Sequence, residues 1–320
     1  MGRPITVKMI RGEWLARLKA AQSKSSLVAE RVVATGDTEE FFYAGQVPAM
    51  SSWNASRSPM DMFQAKRSKT PNLYETSIKW DRFEKKDAQL PQFFANRIAD
   101  LARAVTYLED DRVLGDLIDA SESATGAEGD AYDGQAFHDT DHLDPTSGQS
   151  TYDNDRTSAA ATGTDPTLAE FAAAVEDGLE QFASYVDDRG RPWHAEAGNI
   201  VLVIPRLMQH VAIQFVQSRS IHSDNPAIAN ASLGITNFQI LVNRYTANQD
   251  RFTMEMPGDE GRMPYGIITW GTPVFNQVTG DRSGEVDFNA FMNRYDFAGV
   301  HVRQNVIYGQ PRSSIKHTFT

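Results

Sequence analysis

The 320 residues are 41% hydrophobic and 23% charged, which is typical of a folded globular protein and argues against global disorder. The absence of cysteine excludes disulfide bonds, zinc knuckles, iron–sulfur ligation and thiol catalysis, and it fits a reducing cytosol. No apolar run approaches the roughly 18 residues of a membrane span, and the first residues lack the apolar core of a signal peptide. The sequence therefore predicts a cytoplasmic protein with no membrane partner.

The net charge of −11 is concentrated in one block. Residues 109–156 hold 14 acidic side chains against two arginines, whereas the rest of the chain is nearly balanced. Such a block argues against DNA binding there, because it repels phosphates. Residues 57–86 are basic instead, with interleaved aromatic residues. Two interpretations stay open for them: a single-stranded nucleic-acid site, or a β-ribbon that docks on an acidic neighbour, which we favour.

The elements predicted for the first quarter of the chain are an arm, a connection and a hairpin. Residues 1–50 predict an arm with one short amphipathic helix near its start, and the polar residues 51–60 predict a connection. Two stretches of strand-forming residues follow, Met62–Lys69 and Leu73–Phe83, separated by Thr70-Pro71-Asn72. We predict that they pair as one long hairpin that turns at Pro71-Asn72.

The strongest helical pattern begins at Pro91 and runs to about residue 119. Apolar residues recur there at steps of four and three, as one buried helix face requires. The members of this stripe are Phe94, Ile98, Leu101, Val105 and Leu108. Residues 121–164 are dense in Asp, Gly, Ser and Thr, so they predict a long excursion with little core of its own.

The second half of the chain mixes helices and strands without a regular βαβ repeat, which indicates the α+β class. Asp165-Pro166 predicts the N-cap and first residue of a helix that ends by Gly190, and the apolar run Asn199–Ile204 predicts a strand buried on both faces. Further predicted elements are a helix after Pro205 with Leu207 inward, strands at Phe238–Val242 and Gly266–Trp270, a loop at 280–285, a helical stretch at Phe288–Tyr295, and closing strands at Val300–Tyr308 and Ile315–Phe319.

The acidic excursion contains a candidate metal site. His138 and His142 are four residues apart, so on a helix both imidazoles would share one face and bind a transition metal. Gly134 and Pro145 favour turns over a helix, and the glycine of a calcium loop is missing. We therefore favour a loop stabilised by its own hydrogen bonds, with no metal and no cofactor. The alternative is a metal-dependent hydrolase that uses loop 133–144 through His138, His142, Asp139 and Asp141.

The same loop carries a family resemblance. Tyr132-Asp133-Gly134-Gln135, Phe137, Asp139 and His142 resemble the Tyr-Asp-Gly-Gln-x-Phe-x-Asp-x-x-His signature of the Mu-like phage major head subunit. The order of arm, basic hairpin, long helix, acidic loop and closing strands agrees with that family. The resemblance implies an α+β, Hong Kong 97-like major capsid fold with an N-terminal arm, an extended β-hairpin called the E-loop, a peripheral domain with a long spine helix, and an axial domain.

The resemblance also implies a division of the chain into five parts. They are an N-terminal arm at 1–50, the E-loop hairpin at 51–90, a peripheral domain with spine helix and acidic loop at 91–197, an axial domain at 198–287, and a return to the peripheral domain at 288–320.

The function implied is self-assembly, and no enzymatic activity is expected. Hexamers and pentamers of this chain would form the icosahedral shell of a tailed phage or prophage-derived particle, assembled in the host cytoplasm around double-stranded DNA bound without sequence specificity. Portal, scaffold or protease, and decoration proteins would be further partners. A host-derived nanocompartment shell of the same fold is the alternative. The subunit-interface residues expected on the hairpin are Phe63, Lys66, Arg67, Lys69, Tyr74, Trp80 and Arg82.

Two variants test the predicted assembly function. Deletion of the hairpin tip Arg67–Asn72 is expected to leave a folded subunit that cannot close shells. Replacement of His138 and His142 by alanine is expected to leave assembly largely intact, because the acidic loop is predicted to have little core of its own.

Overall fold

Helices and strands are mixed in two five-stranded sheets and one two-stranded ribbon. This arrangement confirms the predicted α+β class. A computed structural model of the chain describes residues 7–44, 64–81, 90–123, 130–144, 150–193, 199–221, 237–258, 263–278 and 295–320.

The helical elements include one that changes its winding. The helices are α1 (Val7–Ala20), α2 (Leu90–Asp110), a π-helical segment (Asp111–Leu117) that continues into α3 (Ile118–Ala120), α4 (Leu168–Ser184) and α5 (Gln209–Ile221), with 3₁₀ turns at Lys24–Leu27 and Pro311–Ser313.

Twelve strands lie within the described stretches. They are β1 (Ala29–Val33), β2 (Glu39–Ala44), β3 (Gln64–Lys69), β4 (Asn72–Asp81), β5 (Asp155–Ser158), β6 (Asn199–Pro205), β7 (Asn237–Asn243), β8 (Arg251–Glu255), β9 (Tyr265–Thr269), β10 (Val274–Val278), β11 (Tyr295–Tyr308) and β12 (Ser314–Phe319).

The long helix predicted from Pro91 is α2 together with the π-helical segment and α3. Ile98, Leu101 and Val105 are buried on one face of α2, as the stripe predicts. The π-helical winding leaves carbonyl groups that need partners from elsewhere. Asn243 Nδ2 donates to the Leu114 carbonyl oxygen at 2.5 Å, and the Tyr308 hydroxyl donates to the Leu117 carbonyl oxygen at 2.7 Å. The end of this helix is therefore fastened to both sheets.

The first sheet has the strand order β1-β9-β11-β10. Strand β4 also pairs with β11, on the side opposite β10. Strand β1 is parallel to β9, and β4, β9 and β10 are antiparallel to β11. Helix α2 packs on this sheet around Val105, Ala298, Val300 and Val302. Trp14 of α1 stacks on Phe275 of β10 at a centroid distance of 5.3 Å, which holds α1 against the same core.

The second sheet has the order β5-β12-β8-β6-β7 and is covered by α4 and α5. Strand β6 lies between β8 and β7, antiparallel to β8 and parallel to β7. Alternate β6 residues such as Ile200 and Leu202 face the core under α4 and α5, whereas Val201 and Val203 face a second core shared with the π-helical segment. This confirms the prediction of a strand buried on both faces.

The predicted hairpin is wrong in its pairing, although both strands form. Strand β3 pairs with β2, in the register Glu39↔Lys69, and β4 pairs with β11. Opposite charge favours the pairing of β3 with β2, because Lys66 forms an ion pair with Glu40 across the ribbon. Apolar burial favours the pairing of β4 with β11, because Ile78 of β4 packs on the α2 core. The segment Arg67–Asn72 is thus the crossing from the ribbon to the first sheet, and it is not a hairpin tip.

The sheet memberships also depart from the predicted five-part division. Strands β9 and β10, expected in the axial part, belong to the first sheet, and β12, expected to return to the peripheral part, belongs to the second. Strand β12 pairs there with both β5 and β8. The reason is burial: Ile315 and Phe319 of β12 lie in the core under α4 and α5.

Smaller corrections concern helix ends and single residues. Helix α4 is capped by Thr167, two residues after the predicted Asp165, because Thr167 and Glu170 form a reciprocal capping box. Leu207 is exposed, since α5 begins only at Gln209. The predicted loop 280–285 lies outside the described residues, as does most of the predicted helix Phe288–Tyr295, while Tyr295 itself begins β11.

Gly309 ends β11 at a close approach to the backbone of Met263 and Pro264, and its N–H donates to the Pro264 carbonyl oxygen at 2.7 Å. A Cβ at this position would overlap the Met263 carbonyl oxygen. We expect Gly309→Ala to lower the free energy of unfolding by about 1–3 kcal/mol in urea titrations, because the backbone must shift. The control Gly12→Ala, in helix α1 with no atom within 4 Å, is expected to gain about 0.5–1 kcal/mol. Equal effects of the two substitutions would contradict this interpretation.

Candidate functional site: the signature loop

The signature loop, residues 131–144, buries half of its side chains in the interior of the molecule, whereas Gly134, Thr140, Asp141 and Leu143 are exposed. It follows the end of the spine helix, and the His138 N–H donates to the Ser121 carbonyl oxygen at 2.8 Å. Phe137 is fully buried and stacks on Tyr308 of β11 with ring centroids 4.6 Å apart. It also contacts Tyr265 of β9 at 5.3 Å. The expectation that this region has little core of its own is therefore wrong, because its aromatic residue completes the core beside the first sheet.

Gly134 and Asp133 shape the start of the loop. Gly134 has a φ of 87°, which is the left-handed region that glycine adopts without strain. The turn is closed by Gly134 N–H to Ala131 O at 3.1 Å and Ala131 N–H to Gln135 O at 2.8 Å. Asp133 Oδ1 accepts from the Gln135 N–H at 3.2 Å, as in an Asx turn. The Tyr-Asp-Gly-Gln sequence is thus a turn whose carboxylate remains available for His142.

His142 is the buried centre of the loop. Its Nδ1 is hydrogen-bonded to Asp133 Oδ2 at 2.8 Å, and its Nε2 is hydrogen-bonded to the Phe137 carbonyl oxygen at 3.1 Å. Its ring stacks on Tyr152 at 5.0 Å. Burial by itself raises the pKa of Asp133, but the hydrogen bond and charge of His142, with two backbone N–H donors, outweigh it and lower this pKa overall. His142 therefore acts as an internal crosslink between two turns of the loop.

A second buried group joins the loop to the C-terminal segment. Arg312 binds Asp144 through two hydrogen bonds of 3.0 and 2.6 Å, and both side chains are about 5% exposed. The Tyr132 hydroxyl donates to the same carboxylate. The Arg312 guanidinium also lies over the Tyr152 ring, 4.0 Å from its centroid, and 5.4 Å from that of Trp193. This bidentate, desolvated pair holds residues 168 positions apart in the chain.

Asn154 was not singled out by the sequence, yet it connects three segments. Its Nδ2 donates to the carbonyl oxygens of Phe137 and Pro311 at 2.9 and 3.1 Å, and its Oδ1 accepts from the Asp139 N–H at 2.8 Å. The side chain is fully buried. An asparagine in a polar stretch carries no sequence signal for this role, because its partners are backbone groups set by the tertiary fold.

A series of buried, hydrogen-bonded polar side chains connects the loop to the second sheet. His138 Nε2 is hydrogen-bonded to Ser314 Oγ at 2.7 Å, and Ser314 in turn bonds to Glu255. Glu255 Oε1 accepts from Thr253 Oγ1 at 2.6 Å and from the Tyr265 hydroxyl at 3.0 Å. Burial raises the pKa of Glu255 to about 7 against these donors. Burial also lowers the pKa of His138 well below its usual value, with the charges of Lys316, His142 and Arg251 adding to the effect.

Glu255 makes stability depend on pH. Its pKa of about 7 in the folded state exceeds its ordinary value of 4.5, so the folded chain binds this proton more tightly than the unfolded chain. The contribution is present below pH 4.5 and is lost as the pH rises through 7, by roughly 3 kcal/mol. We expect Glu255→Gln to flatten the fall in unfolding free energy between pH 5 and pH 8, measured in urea. Parallel pH profiles of the variant and the native chain would contradict this.

The two-stranded ribbon rests on the signature loop. Arg67 of β3 forms an ion pair with Asp130 at 2.8 Å and donates to the Ala131 carbonyl oxygen. The Tyr43 hydroxyl of β2 donates to the Tyr308 carbonyl oxygen at 2.5 Å, and the Tyr43 ring lies 5.5 Å from that of Tyr132. Loop, ribbon and first sheet therefore meet at one place.

The predicted interface residues are not gathered into one cluster. Phe63 and Arg82 lie outside the described residues. Arg67 contacts the signature loop, Lys66 pairs with Glu40, and Lys69 lies opposite Glu39. Tyr74 lies on β4 under the Arg112 guanidinium, 5.9 Å from the ring centroid, and Trp80 is in register with Asp296 of β11.

The loop geometry does not fit a metal centre. In the stretches that the structure describes, no three His, Asp or Glu side chains are grouped as metal ligands. Both ring nitrogens of His142 are used by Asp133 and Phe137, and His138 points to Ser314 instead. Asp141 is exposed and accepts from Gln135 Nε2 at 3.2 Å. The metal-hydrolase alternative has no support.

No helix among the described residues is long and apolar enough to cross a membrane.

Comparisons with known structures return phage capsids. The mature capsid of bacteriophage PhiM1 superimposes with a TM-score of 0.57 and 11% identity, covering 94% of this chain and 88% of that chain. The procapsid of bacteriophage JBD30 gives 0.52 and 17%, covering 98% and 76%. The capsid of a native GTA particle gives 0.51 and 12%, covering 94% and 91%. At these identities the likeness shows the fold, and this is the capsid fold that the signature implied.

Sequence comparison assigns the family. No curated protein matches the chain. The family model described as the Mu-like prophage major head subunit gpT matches residues 6–169, a range that holds the ribbon, the spine helix and the whole signature loop. The chain belongs to the family of Mu-like prophage major head subunits, the major capsid proteins of tailed phages.

Proposed function

We propose that this protein works by assembly alone, as a shell subunit arranged in hexamers and pentamers, without catalysis. The observation that carries the proposal is the burial of the signature loop. Its two histidines and Asp144 are each at most 7% exposed. His138 and Asp144 are hydrogen-bonded to Ser314 and Arg312, and His142 is hydrogen-bonded to Asp133 within the loop. A catalytic group must reach a substrate, whereas these groups stabilise the junction from which the ribbon extends. Membership of the head-subunit family favours a phage or prophage-derived particle over a nanocompartment.

The domain division follows the two sheets in our proposal. The first sheet with α1 and α2 would form the peripheral domain, and the second sheet with α4 and α5 would form the axial domain. This division is supported by their separate cores, one around Trp14 and Val300 and the other around Phe171 and Ile315. The signature loop packs on the first sheet through Phe137 and is hydrogen-bonded to the second sheet through His138.

We place the E-loop at residues 39–69, with β2 and β3 as its two arms. This revises the predicted span 51–90. Paired strands of six residues extend roughly 20 Å, and residues 45–63 connect them. The contacts of Arg67 and Tyr43 hold β2 and β3 on their own subunit, which supports an E-loop whose direction toward a neighbouring subunit is fixed.

We also propose partners other than the chain itself, because a shell of this family needs them. They are a portal, a scaffold or protease and, in some particles, decoration proteins, with assembly in the host cytoplasm. The net negative charge of residues 109–156 disfavours tight binding of phosphates in this part of the chain, so we propose that the enclosed DNA is held without base-specific contacts.

Electron microscopy and sedimentation of the protein expressed alone test the proposal. Closed shells, tubes or capsomer rings are expected. A chain that stays monomeric at high concentration, both alone and with its co-expressed scaffold, would contradict self-assembly.

Shortening the ribbon tests its reach. We expect replacement of residues 47–61 by a two-residue Gly-Asn turn to keep the melting temperature and circular dichroism of the subunit but to abolish closed shells. A Gly-Ser linker as long as the native segment 47–61 is the matched control, because it keeps the reach of the ribbon and removes only the native side chains. Normal shells from the shortened variant would show that the ribbon does not bridge subunits.

A further inference from the structure

Among the described residues, strand β4 lies at an edge of the first sheet. Within that part of the chain it pairs with β11 alone, over ten positions from Asn72↔Gln304 to Asp81↔Tyr295. The side chains of Leu73, Glu75, Ser77 and Lys79 are all exposed on one face of the strand, Leu73 at 66%. A ten-residue edge is a template for strand addition, and natural proteins protect such edges or use them.

The sequence of this edge is complementary to itself. Read outward from Ser77, Thr76 and Ile78 are both β-branched, Glu75 and Lys79 are of opposite charge, and Tyr74 and Trp80 are both aromatic. An antiparallel pair of identical strands centred on Ser77 therefore places unlike charges opposite each other twice. It also places β-branched residues opposite each other twice, and such cross-strand pairs stabilise sheets.

We propose that the β4 edges of two copies of this chain pair antiparallel about a two-fold axis through Ser77, which joins the first sheets of two subunits into one. The second copy is the occupant because the edge carries both halves of the charge pair, as an isologous contact requires. The inference deepens the proposed self-assembly and rests on it.

The charges select this register over its neighbours. A shift of two residues in one direction brings Glu75 opposite position 81, which is also acidic, and a shift in the other direction leaves Glu75 opposite Ser77. Both shifts lose the two Glu75–Lys79 pairs, and a one-residue shift would turn side chains to the wrong face. Of the registers compared, only the one centred on Ser77 pairs unlike charges and keeps the side chains of both strands on matching faces.

A single cysteine reports the two-fold axis, because the native chain contains none. In the proposed pair Ser77 lies opposite its own copy, at a Cα separation of about 4.5–5.5 Å that a disulfide spans. We expect Ser77→Cys to give a disulfide-linked dimer on mild oxidation of assembled full-length protein. Leu73→Cys is the register control, since it would lie opposite position 81, and Ala173→Cys, exposed on α4, is the control for random collision.

Charge reversal on the Ser77→Cys background tests the complementarity. Glu75→Lys or Lys79→Glu alone places like charges opposite each other at both pairs, so we expect roughly tenfold less dimer. The double reversal restores unlike pairs and is expected to restore crosslinking. Glu176→Lys, an exposed change of equal charge on α4, should have no effect.

The outcomes separate the edge pairing from the capsid function. Shells that form without the Ser77 crosslink, or that crosslink equally at positions 73, 77 and 173, overturn the edge pairing and leave the capsid function intact. Protein that neither assembles nor crosslinks, alone or with scaffold, contradicts both. Crosslinking that survives each single charge reversal overturns the proposed register.

Discussion

Replacing Arg312 by alanine is expected to lower the free energy of unfolding by about 3–5 kcal/mol, one of the largest effects of any single change in this chain. The guanidinium and Asp144 are both buried, so the variant leaves a carboxylate without a counter-ion inside the protein. It also removes the cation that lies over Tyr152. Urea unfolding followed by circular dichroism measures the loss.

Two variants show whether the loss comes from the unpaired charge. Arg97→Ala removes an arginine from an exposed pair with Asp100, at 3.5 Å, and is expected to cost at most about 1 kcal/mol. In the double variant Arg312→Met with Asp144→Leu, both charges are replaced by apolar groups, and much of the stability should return. A cost for Arg312→Ala no greater than that for Arg97→Ala would refute the role of the buried pair.

Replacing His142 by alanine is expected to cost a similar amount, about 3–5 kcal/mol, and to impair assembly through loss of folded subunit. The change leaves Asp133, whose side chain is 4% exposed, without its main partner. It also opens a cavity against Tyr152. This reverses the expectation that the His138 and His142 double variant assembles normally, because that expectation assumed a loop with no core of its own.

The control lies in the same loop. Asp141→Ala removes an exposed carboxylate near His142 and is expected to leave the free energy of unfolding close to that of the native chain. A metal-dependent site predicts something different: added chelator would destabilise the native chain and leave His142→Ala unaffected. If chelator changes the stability of the native chain by several kcal/mol, the structural role of His142 is wrong.

The spine helix shows how far sequence reasoning reaches. The burial of Ile98, Leu101 and Val105 follows from their spacing alone, because one face of a regular helix must meet the core. The π-helical segment after it was not predicted. Its carbonyl partners are Asn243 and Tyr308, more than 120 residues away, and no local pattern announces them.

The signature loop shows the opposite limit. Its residues identified the family, and Gly134 predicted a turn that the structure confirms. The roles of His142 and Asp144 did not follow, because Tyr152 and Arg312 reach them through the tertiary fold. A pattern of Asp and His residues is compatible with a metal site or with a buried clamp, and burial decides between them.

The sequence by itself determined the α+β class, the main helices, most strands and the head-subunit family, because these depend on local periodicity and on one distinctive motif. Only the tertiary structure decided which strands pair. Backbone donors and acceptors are the same on every strand edge, so the choice depends on distant charge and burial: Glu40 for Lys66 of β3, and the core of α2 for Ile78 of β4. That choice paired β3 with β2 in the ribbon and left the outer edge of β4 without a strand partner among the described residues.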